Sequence, residues 1–178
     1  INGMCISAHK KRLFVTSQDR ALVIYDAETG EQQKTLYPED LDKKWDSSMF
    51  WGCIVSYNGD EAILGLMRKG QPSYAVVIDA YDYKLKKVIY LCKSQISSAL
   101  VTERFRTIAS VGCCDGTVVV LSLLKYKVLS IKKHHSFVVP ATTIDFKQTV
   151  ATVSLDYNFV TTPITNRQIG RASCRERV

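Results

Sequence analysis

The sequence predicts an all-β protein in which one four-stranded unit repeats along the chain. Short apolar or β-branched runs of strand length alternate with turn-forming residues, and no stretch shows the sustained i, i+3, i+4 apolar spacing of a helix. Asp19, Asp115 and Asp156 each lie in the turn between the second and third strands of a unit, so the repeat is roughly 40–50 residues long. A four-stranded repeat of this length is typical of a β-propeller blade.

The main alternative to the propeller is a β-sandwich, whose hairpins have a similar spacing. The recurring aspartate and the nearly equal repeat lengths favour the propeller. Each propeller blade lies between two neighbours, which explains why the predicted strands are apolar on both faces.

The first blade is predicted to occupy residues 1–36. The residues between its strands, such as Asp26–Gly30, are of the types that tight turns favour. Its four strands are predicted at Gly3–Ser7, Leu13–Thr16, Ala21–Tyr25 and Gln33–Leu36.

A linker is predicted at residues 37–49. Pro38 suits a first helical position, while Asp40 early in the segment and Lys43 and Lys44 late in it suit a helix dipole. The segment is therefore predicted to form one or two helical turns or, equally, a solvated loop.

The remaining blades repeat the pattern of the first. A second blade is predicted at 50–92, a third at 93–132 and an incomplete last blade at 133–167. Tyr25-Asp26 and Tyr81-Asp82 occupy the place where WD repeats end the third strand with Trp-Asp. The strands are predicted at Phe50–Val55, Ala62–Met67, Tyr74–Ala80 and Lys87–Cys92, at Ile96–Val101, Thr107–Gly112, Thr117–Leu121 and Val128–Ile131, and at Ala141–Phe146, Thr149–Ser154 and Phe159–Ile164.

Residues 168–178 are predicted not to belong to the native protein. The segment Ile169–Val178 matches, residue for residue, the translation of a widely used short-read sequencing adapter. Without its three arginines and one glutamate, the formal net charge falls from +7 to +5. The cysteines that remain are odd in number, and all but Cys114 lie in apolar runs, so buried reduced thiols are favoured over disulfides. They are Cys5, Cys53, Cys92, Cys113 and Cys114.

Composition excludes several classes of protein. A hydrophobic share of 46% and a charged share of 23% are ordinary globular values and exclude disordered, collagen-like and low-complexity chains. No apolar run reaches about 18 residues, so no membrane span is predicted within the chain. No signal peptide is visible, and the absence of an initiator methionine predicts a truncated start. The lysines are scattered, so a nucleic-acid partner is not expected.

Two pairs of potential metal ligands, His134-His135 and Cys113-Cys114, do not predict a metal site. Adjacent residues on a strand point to opposite faces, so the two cysteines could hardly hold one ion. The sequence contains neither a Gly-Lys-Ser/Thr phosphate loop nor a Gly-x-Ser-x-Gly elbow. No catalytic, cofactor-binding or metal-binding residue is therefore predicted.

His135 is instead predicted to be structural. In propellers, a histidine just before the first strand of a blade commonly bonds the aspartate in the turn between the second and third strands. His135 and Asp156 occupy these positions, and Ser154 is the expected hydroxyl partner. Asp19 and Asp115 hold the same turn position in other blades and are also predicted to be structural.

The two tryptophans lie on either side of the end of the linker. Trp51 is predicted to be a core residue, because it belongs to an apolar run. Trp45 lies within the linker and is predicted to be an exposed contact for a partner.

Several segments resemble one known family. The more specific stretch is Ser130–Pro140, continued by Ile144–Phe146, Val150–Asp156 and Thr162–Ile164, and Leu13–Cys53 is similar at lower specificity. These segments resemble the last and middle blades of the WD-repeat guanine nucleotide exchange factor of COPII vesicle budding, the prolactin regulatory element-binding protein family. One departure is Pro140, which stands where the family usually has threonine.

The resemblance implies about three and a half blades of a seven-bladed ring. It further implies a full-length exchange factor at the endoplasmic reticulum membrane, with its propeller on the cytosolic side and one membrane helix beyond the end of this chain. The partner would be the small GTPase that initiates COPII coat assembly. The family binds potassium at a loop in its first blade, and no residue of this sequence corresponds to that loop. The fragment itself is therefore expected to be inactive.

The resemblance also suggests which loops would contact the GTPase. The connections between blades are the candidates, and those in this chain are Tyr37–Ser48, Lys93–Gln95 and Lys132–Phe137. Besides Trp45, the residues singled out are Lys132, Lys133 and His134. The alternative function is a non-enzymatic WD-repeat scaffold, and an RNA-processing propeller is favoured only by the net charge.

Overall fold

The computed structural model describes residues 1–145 and 147–164. Within these residues, the chain forms four separate antiparallel sheets, three with four strands and the last with three, and neighbouring strands in each sheet follow one another along the chain. The predicted tail at 168–178, residues 165–167 of the predicted last blade and Phe146 lie outside the described residues.

The strands of the first two sheets are close to those predicted, because alternating apolar runs and tight turns determine both. The hairpin between the third and fourth strands of the first sheet turns at Gly30, whose φ of +75° is one that glycine adopts readily. The strands are β1 (Gly3–Ser7), β2 (Arg12–Thr16), β3 (Leu22–Asp26) and β4 (Gln32–Leu36), followed by β5 (Met49–Val55), β6 (Glu61–Met67), β7 (Ser73–Asp79) and β8 (Leu85–Cys92).

The third and fourth sheets are formed by the rest of the described chain. Their strands are β9 (Val101–Thr102), β10 (Ile108–Gly112), β11 (Thr117–Ser122) and β12 (Lys127–Lys133), then β13 (Ala141–Ile144), β14 (Thr149–Val153) and β15 (Phe159–Pro163). Two of these strands, β10 and β11, are buried along their whole length, which fits a sheet that is covered on both faces, whereas burial alternates along β14.

The strand predicted at Ile96–Val101 is wrong over most of its length. Regular pairing is limited to the two residues of β9, and Ile96 forms only an isolated bridge to Cys113. The side chain of Ser98 takes the place of a backbone partner, since its Oγ accepts a hydrogen bond of 2.7 Å from the Gly112 N–H. Serine side chains that satisfy the backbone in this way compete with a regular ladder.

The linker between the first two sheets is helical. It forms α1 (Pro38–Leu41), followed by a 3-10 turn at Lys43–Trp45, and Pro38 is the first helical residue as predicted. The Asp40 carboxylate accepts a hydrogen bond of 2.7 Å from the Tyr37 N–H and so caps the helix. The helical alternative of the prediction is therefore the correct one.

The prediction that Trp45 is an exposed partner contact is wrong. Only 6% of the residue is exposed, and it packs in the core with Phe14, Phe50 and Leu66. The 3-10 turn folds the indole back onto the sheets, where a large apolar ring is more stable than in water. Trp51, predicted to be a core residue, is partly buried against the next core.

Three apolar cores lie between consecutive sheets. The first joins Phe14 and Ile24 of the first sheet to Leu64 of the second, and the second joins Ile63 to Val111 of the third. The third core holds the last two sheets together. Its members are Ile108, Val118, Val120, Val139, Ile144, Val150 and Ile164. Sheets stacked side by side in chain order are the arrangement of propeller blades, and they exclude the two facing sheets of a sandwich.

The cysteines provide a chemical test of this packing. Cys113 is buried with its Sγ 3.2 Å from the Sγ of Cys92, whereas the adjacent Cys114 is exposed. The hydrogen bond with Cys92 and burial raise the pKa of Cys113, so its thiolate is scarce. We expect iodoacetamide at pH 8 to alkylate Cys114 well before Cys113 in the native protein, as read by peptide mass spectrometry. Equal rates for the two neighbours would contradict the packing, and both should react in urea.

Candidate functional site

The connection between the third and last blades, residues 134–140, is anchored by His135. The imidazole is buried and lies between two side chains of the last blade, with Nε2 2.8 Å from Oγ1 of Thr152 and Nδ1 3.3 Å from Oδ1 of Asp156. The other carboxylate oxygen of Asp156 accepts a hydrogen bond of 2.9 Å from the Ser136 N–H. One aspartate in the turn after β14 therefore fixes both the side chain and the backbone of this connection.

The hydroxyl partner of His135 is Thr152, and the expectation that Ser154 would fill this role is wrong. Thr152 points into the interior from the middle of β14, and it also contacts the Val160 carbonyl at 3.3 Å. Ser154 follows the end of the strand, and its Oγ donates to the Phe137 carbonyl at 3.2 Å. Ser154 thus holds the same connection by a backbone contact.

The surroundings of Asp156 favour its charged form. Desolvation raises the pKa of this carboxyl, but hydrogen bonds from the N–H groups of Ser136 and Asn158, together with nearby His135, outweigh that effect and hold the pKa below its usual range. The anchor of the last blade therefore depends on an ionised carboxylate.

Acid is expected to weaken this anchor. Because the pKa of Asp156 is lowered by folding, its stabilisation is present above the unfolded value of about 3.9 and is lost as the pH falls through the folded value. Asp156→Asn should lower Tm by a few degrees at pH 7 and reduce the further loss of Tm below about pH 4, as followed by circular dichroism. Asp46→Asn is the control, since its side chain is 76% exposed. An acid profile identical to that of the unaltered chain would contradict the anchor.

The equivalent aspartates of the first and third blades cap their turns without a histidine among the described residues. Asp19 accepts hydrogen bonds from the Ser17 hydroxyl and from the Ala21 N–H. Asp115 accepts one of 3.0 Å from the Thr117 N–H. All three aspartates therefore shape the same turn, and in the described part of the chain only Asp156 also binds the connection that precedes its blade.

The aspartate that ends the third strand of the second blade is Asp79, so the prediction for Tyr81-Asp82 is displaced by three residues. Asp79 accepts hydrogen bonds from the N–H groups of Tyr81 and Asp82, as Asp26 does from two residues of the corresponding turn. The residue before Asp79 is an isoleucine, so the dipeptide pattern misleads here.

The predicted partner contacts near the last blade lie at the end of β12. Lys132 and Lys133 are exposed, while His134 is half-buried with Nδ1 3.3 Å from Oγ1 of Thr162. Burial lowers the pKa of His134, and the charge of Lys132 and the neighbouring His135 lower it further. His134 is thus a neutral residue of the seam between the blades at pH 7, and the two lysines carry the charge.

Sequence reasoning missed three exposed apolar residues where the connection before the last blade meets the turn after β14. Phe137 is 61% exposed, Leu155 64% and Tyr157 100%. Phe137 belongs to the connection before the last blade, and the other two belong to the turn after β14. The sequence feature that could have indicated them is an apolar residue at a turn position, where polar residues are the rule.

Asp60 and Asp79 of the second blade form an acidic cluster, but this cluster is not a binding site for a metal cation. Asp60 lies 3.0 Å from the Lys10 ammonium, and Asp79 lies 2.9 Å from that of Lys86. These lysines already neutralise the carboxylates, so the cluster offers no potassium site. More generally, no group of three or more His, Cys, Asp or Glu side chains within residues 1–145 and 147–164 is placed to hold a metal ion. In the same residues no helix is long and apolar enough to cross a membrane.

No family model matches the chain, and no curated protein matches it. Solved structures do. The computationally designed Ika4 protein is similar with a TM-score of 0.68 and 17% identity, over 93% of this chain and 91% of that one. The Cps50 (Swd1) β-propeller domain of Myceliophteria thermophila has a TM-score of 0.69 and 12% identity, over 94% of this chain. U3-55K has the same TM-score and identity over 92% of this chain.

The chain spans about half the length of the last two proteins, 53% of the Cps50 domain and 51% of U3-55K. At these identities the similarity shows the fold alone. Together with the four stacked antiparallel sheets, it shows that the chain has the fold of part of a WD-repeat β-propeller.

Proposed function

We propose that this chain is part of a guanine nucleotide exchange factor of the endoplasmic reticulum, which activates the small GTPase that initiates COPII coat assembly. The observation that carries the proposal concerns the two segments that most resemble this family, Ser130–Pro140 and Val150–Asp156. In the folded chain they form one unit, because Asp156 and Thr152 hold His135, and Asp156 also holds the Ser136 N–H. The resemblance thus coincides with a single structural feature.

The proposed mechanism needs no bond to be made or broken by this chain. A propeller that binds the nucleotide-free GTPase more tightly than the GDP-bound form weakens GDP binding by the same factor, because the two equilibria are linked. What the chain must supply is a rigid face that keeps its shape on binding. The stacked cores and the anchored connection at His135 support such rigidity.

The roles of potassium and of the membrane rest on the resemblance to the family alone. Potassium would be held by a first-blade loop to which no residue of this sequence corresponds. The propeller would lie on the cytosolic side of the endoplasmic reticulum membrane, with the anchoring helix beyond this chain.

The second candidate is a non-enzymatic WD-repeat scaffold. The fold is compatible with it, because the similarity to solved propellers at 12% identity shows the fold and no particular activity. A scaffold would use the same exposed turns to hold a partner and would leave its nucleotide release unchanged. The two candidates therefore differ in what the bound partner does.

The coding sequence on either side of this chain separates the candidates. Extending the cDNA in both directions should reveal about 20 apolar residues shortly after Ile164 and further blades upstream of Gly3 if the exchange-factor proposal is correct. A further blade or a coiled coil in place of the apolar span would favour the scaffold.

A further inference from the structure

Two buried thiols face each other across the seam between the second and third blades. Cys92 ends β8 of the second blade, and Cys113 directly follows β10 of the third. Their Sγ atoms are 3.2 Å apart, so the two thiols share a hydrogen bond. Both are free cysteines, and both belong to the core that joins these two blades. The fold therefore brings together, from two different blades, the two groups that a disulfide needs.

The backbone on each side of the seam holds its thiol in place. The Cys113 N–H donates to the Thr117 carbonyl at 2.8 Å. On the other side, the Ser73 hydroxyl donates to the Ser94 carbonyl at 2.7 Å, and the Cys92 thiol donates to the same carbonyl at 3.3 Å. Groups held this close react as if they were highly concentrated. The sulfur atoms need only approach to about 2.0 Å for a disulfide bond to form.

The two thiols differ in accessibility and in acidity. Cys92 is 5% exposed, whereas Cys113 is fully buried. The hydrogen bond from Cys113 lowers the pKa of Cys92 and outweighs the opposite effect of burial, while the same contact and burial raise the pKa of Cys113. Oxidation of a cysteine follows its thiolate character and its exposure. Cys92 is therefore the sulfur that a small oxidant reaches first, and Cys113 lies directly behind it.

We propose that Cys92 and Cys113 form an oxidisable dithiol, which a peroxide converts reversibly to a disulfide between the second and third blades. The Cys92 thiolate attacks one oxygen of hydrogen peroxide, the O–O bond breaks, and the departing hydroxide takes up a proton to become water. The Cys113 sulfur then attacks the sulfenic acid on Cys92, so that the S–S bond forms and the S–O bond breaks. The hydroxide leaves with the proton of Cys113 as a second water. Two thiols are thereby oxidised by two electrons, and one peroxide is reduced to two waters.

The disulfide would stiffen a weakly paired part of the third blade. Between the two cysteines, which are 21 residues apart, regular pairing begins only at the two residues of β9, and Ile96 forms an isolated bridge. A disulfide across this segment restricts the unfolded chain and holds the segment against the second blade. Where disulfides occur in reducing compartments, they are usually transient and redox-sensing. The modification is independent of the proposed exchange activity.

The test detects linked peptides in the full-length protein after treatment with hydrogen peroxide. Free thiols are blocked with N-ethylmaleimide. Trypsin, used without a reductant, cleaves after Lys93 and Arg106 and so separates the two cysteines. Mass spectrometry should find the peptides 88–93 and 107–125 joined by a disulfide, and dithiothreitol should separate them.

Cys114→Ser is the matched control, because the peptide 107–125 also contains the exposed Cys114. This surface substitution should leave the link intact, and the link can then involve only Cys113. Peroxide should also raise the Tm of the Cys114→Ser protein by several degrees, and dithiothreitol should reverse the rise. The double variant Cys92→Ser/Cys114→Ser should show neither the link nor the rise.

The decisive sample is the peroxide-treated Cys114→Ser protein, since its result does not depend on how well a variant of the buried pair folds. Recovery of Cys92 and Cys113 as free thiols would overturn the proposal. A sulfinic acid at Cys92 without a linked peptide would overturn it as well, because Cys113 would then have failed to capture the sulfenic acid. A link that forms only when Cys114 is present would assign the reaction to Cys114 and contradict the pairing of Cys92 with Cys113.

Discussion

Replacing Phe14 with alanine is expected to lower the free energy of unfolding by about 3–5 kcal/mol, the range for removing a large aromatic side chain from a core. Phe14 is fully buried, and its ring lies in the core that joins the first two blades. The loss includes the free energy that burying the ring contributes. It also includes the cost of the cavity left between the two sheets, because neither sheet can move freely to fill it. Urea unfolding followed by circular dichroism measures the change.

Phe105→Ala is the matched control for this prediction. The residue change is the same, but Phe105 lies in the turn between β9 and β10 and is 57% exposed. Its loss should cost less than about 1 kcal/mol. Similar losses for the two variants would mean that the first two blades do not share a core and would contradict the stacked arrangement.

Gly116→Ala is the second substitution with a large expected effect, a loss of about 3 kcal/mol. Gly116 has a φ of +87°, and a Cβ added there would lie 2.0 Å from the His135 carbonyl oxygen. An L-residue in this backbone conformation is strained by roughly 1 kcal/mol, and the displaced connection adds the cost of overpacking. Moving that connection would also pull His135 away from Asp156. Thermal and urea unfolding would measure the loss.

Gly70→Ala separates the two contributions. Gly70 has a φ of +72°, close to that of Gly116, but no atom lies within 4 Å of a Cβ added there. This variant should lose only the conformational part, about 1 kcal/mol. Equal losses at the two positions would show that the third blade does not press against the connection that precedes the last one.

The propeller fold was predictable from the sequence because its signals are local and repeated. Apolar runs such as Ala62–Met67 and turns such as Cys114–Gly116 mark strands and hairpins without any knowledge of distant contacts. The recurring aspartate then indicated the period of the repeat. Pro38, with acidic residues after it, similarly marked the start of the linker helix.

The errors concern positions where a tertiary contact decides between local alternatives. Trp45 is in a polar segment, and only the fold of the 3-10 turn onto the first core buries it. Thr152 and Ser154 both precede Asp156 and both carry a hydroxyl that could contact His135. Only the position of the imidazole in the folded chain makes Thr152 the partner. The exposed surface formed by Phe137 and Leu155 depends on two loops that meet in space, so no sequence spacing indicated it.

The release of bound GDP tests the central proposal most directly. The COPII GTPase is loaded with a fluorescent GDP analogue and mixed with excess GTP, with and without micromolar full-length protein in potassium buffer. The exchange-factor proposal predicts that the protein accelerates release of the analogue severalfold or more. Release at the intrinsic rate, from a GTPase that loses its nucleotide normally in EDTA, would contradict the proposal and leave the WD-repeat scaffold as the function that the fold supports.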